Sequence, residues 1–117
     1  MKLRLSSHGI DLTPEMGRHV HRRVRFALGR FAPRIRNISV RLTDVNGPRG
    51  GIDTCCDIRV DAGFHPPVMI RDRQENAYAA IDSATDRAAR ALERVLSAQR
   101  RASTGLRTPF SSPRRTL

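Results

Sequence analysis

The stretch Asn37-Ile38-Ser39-Val40-Arg41-Leu42-Thr43 decides the fold. Its apolar residues Ile38, Val40 and Leu42 alternate strictly with polar ones, which is the period-two pattern of a strand with one buried and one solvated face. A sheet with one buried face needs a second layer to cover it. The sequence on either side must therefore supply helices with matching apolar faces.

The segment before this strand supplies one strand and one helix. Residues 2–6 alternate between polar and apolar side chains and predict a short strand. Thr13 and Pro14 predict a helix start, with Thr13 as the N-cap and Pro14 at the first helical position. Pro33 disfavours a helical residue ahead of it, so the helix is predicted to end before that position. Its apolar residues recur at helical spacing and form one face; they are Met16, Val20, Val24, Ala27, Leu28 and Phe31.

The segment after residue 43 supplies two more strands. Residues 46–51 are rich in turn formers and predict a loop. The next ten residues, 52–61, alternate again and predict a strand, and a turn over 61–67 leads to a brief strand through Val68 and Ile70. The buried face of the longer strand is predicted to consist of Ile52, Thr54, Cys56, Ile58 and Val60.

The last predicted element is a long helix. Asp72-Arg73-Gln74-Glu75 resembles a capping box with Asp in the place of Ser or Thr, and it predicts the helix start. The helix is predicted to end near Ala102, so that residues 1–102 form one domain and residues 103–117 a disordered basic tail. Its apolar face is predicted to consist of Ala77, Ile81, Ala84, Ala88, Leu92 and Val95.

The element order is therefore β-α-β-β-β-α, which predicts an α+β two-layer sandwich. A four-stranded mixed sheet is expected to have two helices packed on one face. A right-handed crossover should make the first two strands parallel, and the remaining strands should form a meander.

The charge of the chain points to a polyanionic partner. Lys and Arg number 22 against 11 Asp and Glu, a net charge of +11, and every basic residue except Lys2 is arginine. At about 100° per residue the helices carry two narrow arginine stripes, expected side by side and pointing away from the core. The opposite face of the sheet is expected to be mixed or acidic, and we therefore predict binding of structured RNA through the helices. The RNA-binding candidates are Arg18, Arg22, Arg25, Arg87, Arg90, Arg94 and Arg101.

Other classes of function find little support in the sequence. His19 and His21 are two positions apart on a helix and do not share a face, so they cannot form a helical metal pair. The adjacent Cys55 and Cys56 have no second thiol cluster with which to bind zinc. We therefore predict no enzymatic activity, no catalytic residues, no metal, no cofactor and no small-molecule substrate. No apolar run of about 20 residues and no secretory signal are present, which predicts a cytoplasmic protein without a membrane partner.

Three stretches carry a resemblance to a known family. They are Leu12-Thr13-Pro14-Glu15 at the first helix, Val40-Arg41-Leu42 on the second strand, and Asn76-Ala77-Tyr78-Ala79-Ala80-Ile81-Asp82 at the second helix. Together with the element order, they resemble the ribosome hibernation promoting factors, also called ribosome-associated inhibitors. The resemblance covers residues 1–101. Asn76 departs from it, because the family typically has an acidic residue there.

The resemblance implies a protein that binds the small ribosomal subunit and its RNA at the decoding region and silences translation under stress. By position it implies RNA contacts for Arg22, Arg25, Arg87, Arg90 and Arg94. It further implies a short form, which would need a second hibernation factor to pair ribosomes, whereas some short members block pairing instead.

Several points stay open at the level of sequence. One alternative function is a protein-interaction regulator, such as a sigma-factor modulator, and another is a generic binder of structured RNA or DNA. Tyr78 is interpreted first as a packing residue. Phe26 falls off the apolar face of its helix and is interpreted either as a self-association contact or as a half-buried ring.

Overall fold

The computed structural model describes residues 1–45, 53–63 and 67–105, and for residues 102–105 it describes the backbone only. The order β-α-β-β-β-α is confirmed, with a short 3-10 helix added after the first α-helix. No helix within these ranges has the length and apolarity needed to cross a membrane. The elements are β1 (Lys2–His8), α1 (Pro14–Leu28), the 3-10 helix (Gly29–Arg34), β2 (Asn37–Asp44), β3 (Thr54–Asp61), β4 (Val68–Gln74) and α2 (Ala77–Gly105).

The four strands form one mixed sheet in the order β1-β2-β3-β4. β1 and β2 are parallel, with Lys2 opposite Asn37. β2, β3 and β4 are antiparallel neighbours, with Asn37 opposite Asp61 and Val60 opposite Val68. The parallel first pair and the meander after it are both confirmed. The predicted loop over residues 46–51 lies outside the described residues.

Both helices pack on one face of the sheet, and a single apolar core lies between the two layers. The alternating strand residues Ile38, Leu42 and Ile58 are fully buried there. Each such side chain contributes roughly 1.5–3 kcal/mol by leaving water. Helix α2 contributes mainly alanines to this layer, and small side chains let the helix lie close to the strands. Its fully buried residues are Ala80, Ile81, Ala84, Thr85, Ala88 and Leu92.

Helix α1 begins as predicted and ends earlier than its apolar pattern suggests. The Thr13 hydroxyl accepts a hydrogen bond from the Met16 N–H at 3.1 Å, and Pro14 occupies the first turn. The α-helix ends at Leu28, and the chain tightens into the 3-10 helix that contains Pro33. A proline ring clashes with the carbonyl four residues before it in an α-helix, here that of Gly29, which accounts for the change of helix type.

The start of α2 corrects the sequence prediction. Strand β4 continues through Gln74, so the capping box over residues 72–75 is wrong. The N-cap is Asn76, whose side-chain oxygen accepts a hydrogen bond from the Ala79 N–H at 2.9 Å. Asp72 instead points into the protein from β4, opposite Cys56 of β3. Pairing with β3 overrides the local capping pattern.

The other end of α2 also differs from the prediction. The helix runs to Gly105, three residues beyond the predicted end near Ala102. Leu96 is buried near this end, whereas Val95, the predicted core residue, is only half-buried. The predicted tail beyond residue 105 lies outside the described residues.

Candidate nucleic-acid interface

Helix α2 meets α1 and the 3-10 helix that follows α1 along a row of polar contacts, which we call the seam. His19 lies 2.7 Å from Asp82, and Arg30 lies 2.7 Å from Glu93. Arg23 binds Asp86 at 2.8 Å. Every one of these pairs is separated by 63 residues, so the helices run in the same direction. The seam neutralises part of the positive charge of α1 and leaves the remaining arginines for other contacts.

His19 is the centre of the N-terminal end of the seam. Its ring packs edge-on against Tyr78, with the ring centroids 5.0 Å apart. Its second ring nitrogen lies 3.2 Å from the Arg22 guanidinium. Arg23 Nε lies 3.2 Å from Asp82 Oδ1 but is not aligned for a hydrogen bond. Tyr78 therefore packs against the seam, in agreement with its interpretation as a packing residue.

The predicted arginine stripe of α1 lies on the flank of the helix away from the seam. We call Arg18, Arg22 and Arg25 the α1 rail; all three are exposed and span about 60° of the helix. The seam residues of α1 project roughly 115° away from the rail around the helix axis. None of the described carboxylates forms an ion pair with a residue of the α1 rail.

The predicted stripe of α2 lies on the opposite outer flank. We call Arg87, Arg90, Arg94 and Arg101 the α2 rail; all four are exposed. Their directions lie roughly 90° from the acidic seam residues of the same helix. The sequence suggested that the two rails lie side by side. The structure instead separates them, and they border the neutralised seam on its two sides. Together they form the candidate interface.

Arg87 differs from the other residues of the α2 rail. Its guanidinium donates to the Arg71 carbonyl oxygen at 2.8 Å and to the Asp72 carboxylate at 3.3 Å. Burial raises the pKa of Asp72, but hydrogen bonds from Ser83, Gln74 and Arg87 outweigh burial and hold its pKa below the ordinary value. Arg87 thus stabilises a buried carboxylate, whereas Arg90 and Arg94 make no ion pair with any described carboxylate.

The open face of the sheet carries both signs of charge, within the expectation of a mixed or acidic surface, but its basic side chains are in excess. Among the described residues, three carboxylates lie on this face, and two of them are paired, Asp57 with Arg71 and Asp53 with Arg73, both at 2.8 Å. The third is Asp61. The basic side chains on this face outnumber the carboxylates. They are Lys2, Arg4, Arg41, Arg59, Arg71 and Arg73. Both faces of the domain are therefore basic, and the sign of the charge does not distinguish them.

The remaining sequence candidates for chemistry have no reactive arrangement. Burial raises the pKa of the Cys56 thiol to about 12, and burial also raises the pKa of Cys55. Both are free cysteines. Across residues 1–45, 53–63 and 67–101, no three His, Cys, Asp or Glu side chains converge on a possible metal position.

Sequence reasoning missed the seam and the surroundings of Phe26. The acidic residues of α2 at positions 82, 86 and 93 share one flank, and this spacing could have indicated pairing with α1. Phe26 is 79% exposed, so its interpretation as a half-buried ring is wrong. It lies in a shallow groove of α1 that is otherwise lined by Arg18, His21, Arg22 and Arg25.

Comparison with known proteins shows that the sequence of the chain matches a protein family. The family described as "Sigma 54 modulation protein / S30EA ribosomal protein" matches residues 3–100. The match includes β2, β3 and β4, all of β1 except Lys2, and both rails up to Arg94. Curated protein sequences contain no match to the chain.

Two solved structures share the fold. A ribosomal subunit interface protein from Coxiella burnetii has a TM-score of 0.69 and 14% identity, over 83% of this chain and 99% of that one. The N-terminal domain of Protein Y from Thermus thermophilus has a TM-score of 0.66 and 22% identity, over 81% of this chain and 99% of that one. At these identities the likeness concerns the fold.

Proposed function

Because the chain belongs to the Sigma 54 modulation protein / S30EA ribosomal protein family, we propose that it binds the small ribosomal subunit at the decoding region and inhibits translation. The observation that carries this proposal is the pair of exposed arginine rails on the helical side. The similarity of the fold to a ribosomal subunit interface protein supports the choice of partner.

The proposed inhibition is steric and involves no bond making or breaking. Arginine suits the task because its planar guanidinium grips phosphate oxygens with two parallel hydrogen bonds and also stacks on bases. A domain held over the decoding region would exclude messenger RNA and transfer RNA from the same space. This action needs a ribosome, and therefore a cytoplasmic location, but no cofactor, metal or small-molecule substrate.

Five arginines are the main proposed contacts, namely Arg18, Arg22, Arg25, Arg90 and Arg94. If each one neutralises a phosphate, the logarithm of the binding constant should fall with the logarithm of salt concentration with a slope of about −3.5 to −4.5. Arg101 extends the α2 rail toward the C-terminus, and Arg87 acts first on Asp72 and only secondarily on RNA. A second hibernation factor is proposed as a partner if the protein takes part in pairing ribosomes.

The test is co-sedimentation of the full chain with purified small ribosomal subunits at physiological salt, with excess transfer RNA and duplex DNA present. Stoichiometric binding despite both competitors, together with protection of the decoding-region nucleotides from chemical probes, is the expected result. Loss of the protein to the competitors would indicate a generic polyanion binder and overturn the proposal.

The family description also favours a second candidate, a modulator of a sigma factor. The basic open face of the sheet would suit an acidic protein surface. Treatment of a pull-down with ribonuclease separates the two candidates, because a protein partner survives the treatment and ribosomal RNA does not.

A further inference from the structure

We propose that Phe26 is a stacking platform for an unpaired base of the bound RNA. This inference rests on the proposed function. It adds to it a contact that requires an unpaired, single-stranded region of the RNA. Phosphate contacts alone cannot distinguish paired from unpaired RNA, whereas an exposed ring can stack only on a base whose face is free.

The first observation is the exposure of the ring. Phe26 is 79% exposed, which makes it the most exposed large apolar side chain among the described residues. It lies on α1 about 160° from Val24, so it does not contribute to the core. Exposure of a phenylalanine sacrifices the stabilisation that burial would give, and its position beside the α1 rail suggests a partner.

The second observation is the charge around the ring. Arg18, Arg22, Arg25 and His21 line the groove with it, and no carboxylate does. On the seam side the Arg23 guanidinium lies 5.5 Å from the ring centroid, and Asp86 is already bound to that guanidinium. Cations beside an open aromatic face form the arrangement that single-strand binders use: the ring takes a base while the cations hold the adjoining phosphates.

The geometry of the helix fits one nucleotide chain running along α1. Arg22 and Phe26 are one turn apart, with Cβ atoms about 5–6 Å from each other, and Arg18 lies a further turn along. The phosphate on the N-terminal side of a stacked base would therefore meet guanidinium groups of the α1 rail. A second copy of the chain is disfavoured as the occupant, because an isologous contact here would bring two groups of arginines together.

The test uses the absence of tryptophan from the sequence. Phe26→Trp places a single fluorescent ring at the site. Its emission should be strongly quenched on addition of a short single-stranded RNA. An abasic sugar–phosphate chain of the same length should bind without quenching, because it offers charge but no base. Equal spectra with and without the bases would overturn the proposal.

Affinity provides the second readout. Phe26→Ala should weaken binding to the small subunit about 5- to 150-fold, the loss that removal of one stacked base causes. Phe26→Leu should lose nearly as much, because it keeps an apolar surface but no ring. The control is Met69→Ala on the open sheet face, where Met69 is 66% exposed; it should bind like the wild type. Full binding by Phe26→Leu would indicate a simple apolar contact instead.

Two outcomes distinguish this inference from the proposed function. If the wild type does not bind the small subunit, the proposed function fails, and quenching by the short RNA still decides the role of the ring. If the wild type binds and Phe26→Ala binds equally well, only the stacking inference fails. A dimer in sedimentation velocity that is abolished by Phe26→Ala would assign the ring to self-association and overturn the inference.

Discussion

Arg87 belongs to the α2 rail by position, yet the structure predicts that its replacement damages the fold before it affects binding. Its guanidinium donates to the carboxylate of Asp72, which is 7% exposed, and to the Arg71 carbonyl oxygen. A hydrogen bond to a charged group contributes about 1.5–3 kcal/mol. The Arg87 side chain is 45% exposed and the contact with Asp72 is 3.3 Å long, so solvent screening reduces this value. Ser83 and Gln74 continue to donate to the carboxylate.

We therefore expect Arg87→Ala to lower the free energy of unfolding by about 1–2 kcal/mol, which corresponds to a fall in Tm of about 4–16 °C. Chemical denaturation and thermal melting measure both quantities. The matched control is Arg90→Ala, which removes an arginine from the same rail without breaking an ion pair and should stay within about 0.5 kcal/mol of the wild type. Equal stabilities of the two variants would refute the reasoning.

The dependence of the free energy of unfolding on pH provides a second test of this prediction. The native pKa of Asp72 lies below its ordinary value of about 3.8, so its stabilisation is complete at neutral pH and is lost as the pH falls through the native pKa. Arg87→Ala removes one of the groups that lower this pKa. The stability difference between wild type and variant should therefore be largest above about pH 5 and shrink on acidification below pH 4. A difference that grows at low pH would contradict the assignment.

Two further predictions follow from the local structure. Asn76→Ala should cost about 0.5–2 kcal/mol of stability in a denaturation titration because it removes the N-cap of α2, whereas Asn76→Asp should be nearly neutral. If the box at residues 72–75 were the true cap, Asn76→Ala would have no effect. Cys56 should resist alkylation at pH 8 in the native protein, because a pKa of about 12 leaves roughly one thiol in 10⁴ ionised; mass spectrometry after iodoacetamide treatment detects the label. Rapid native-state labelling of Cys56 would contradict its burial, and labelling after denaturation is the control.

The sequence predicted the fold well because its signals are local and periodic. The alternation in residues 37–43 and 54–61 specified which strand faces pack on the core, and the spacing of Val20, Val24 and Leu28 specified the buried face of α1; Ile52 of the predicted strand lies outside the described residues. Asp72 shows the limit of this reasoning. It occupies an inward position of β4, where period-two alternation places it. The groups that bind its carboxylate, the Ser83 hydroxyl and the Arg87 guanidinium, come from α2. The local resemblance to a capping box concealed this non-local pairing.

The arginines of the candidate interface could be identified from the sequence. Which arginines of the helices are already paired with carboxylates could not. Helical spacing was sufficient to identify both rails. Which arginines are already paired depends on contacts between residues 63 positions apart, such as Arg23 with Asp86, and those follow from helix packing. The excess of basic charge on the open sheet face was also missed, because Arg73 was assigned to a helix start and Arg71 to no strand, whereas both belong to β4.

The most direct test of the central claim compares two charge reversals of equal size on opposite faces. Arg90→Glu combined with Arg94→Glu alters the α2 rail, and Arg4→Glu combined with Arg59→Glu alters the open sheet face by the same net charge. Affinity for the small ribosomal subunit is measured across a salt series. The rail variant should bind about 100-fold more weakly or worse and lose about 1.4–1.8 of the salt slope, while the sheet variant should bind within a few-fold of the wild type. Equal losses in the two variants, or a greater loss from the sheet, would contradict a helical interface.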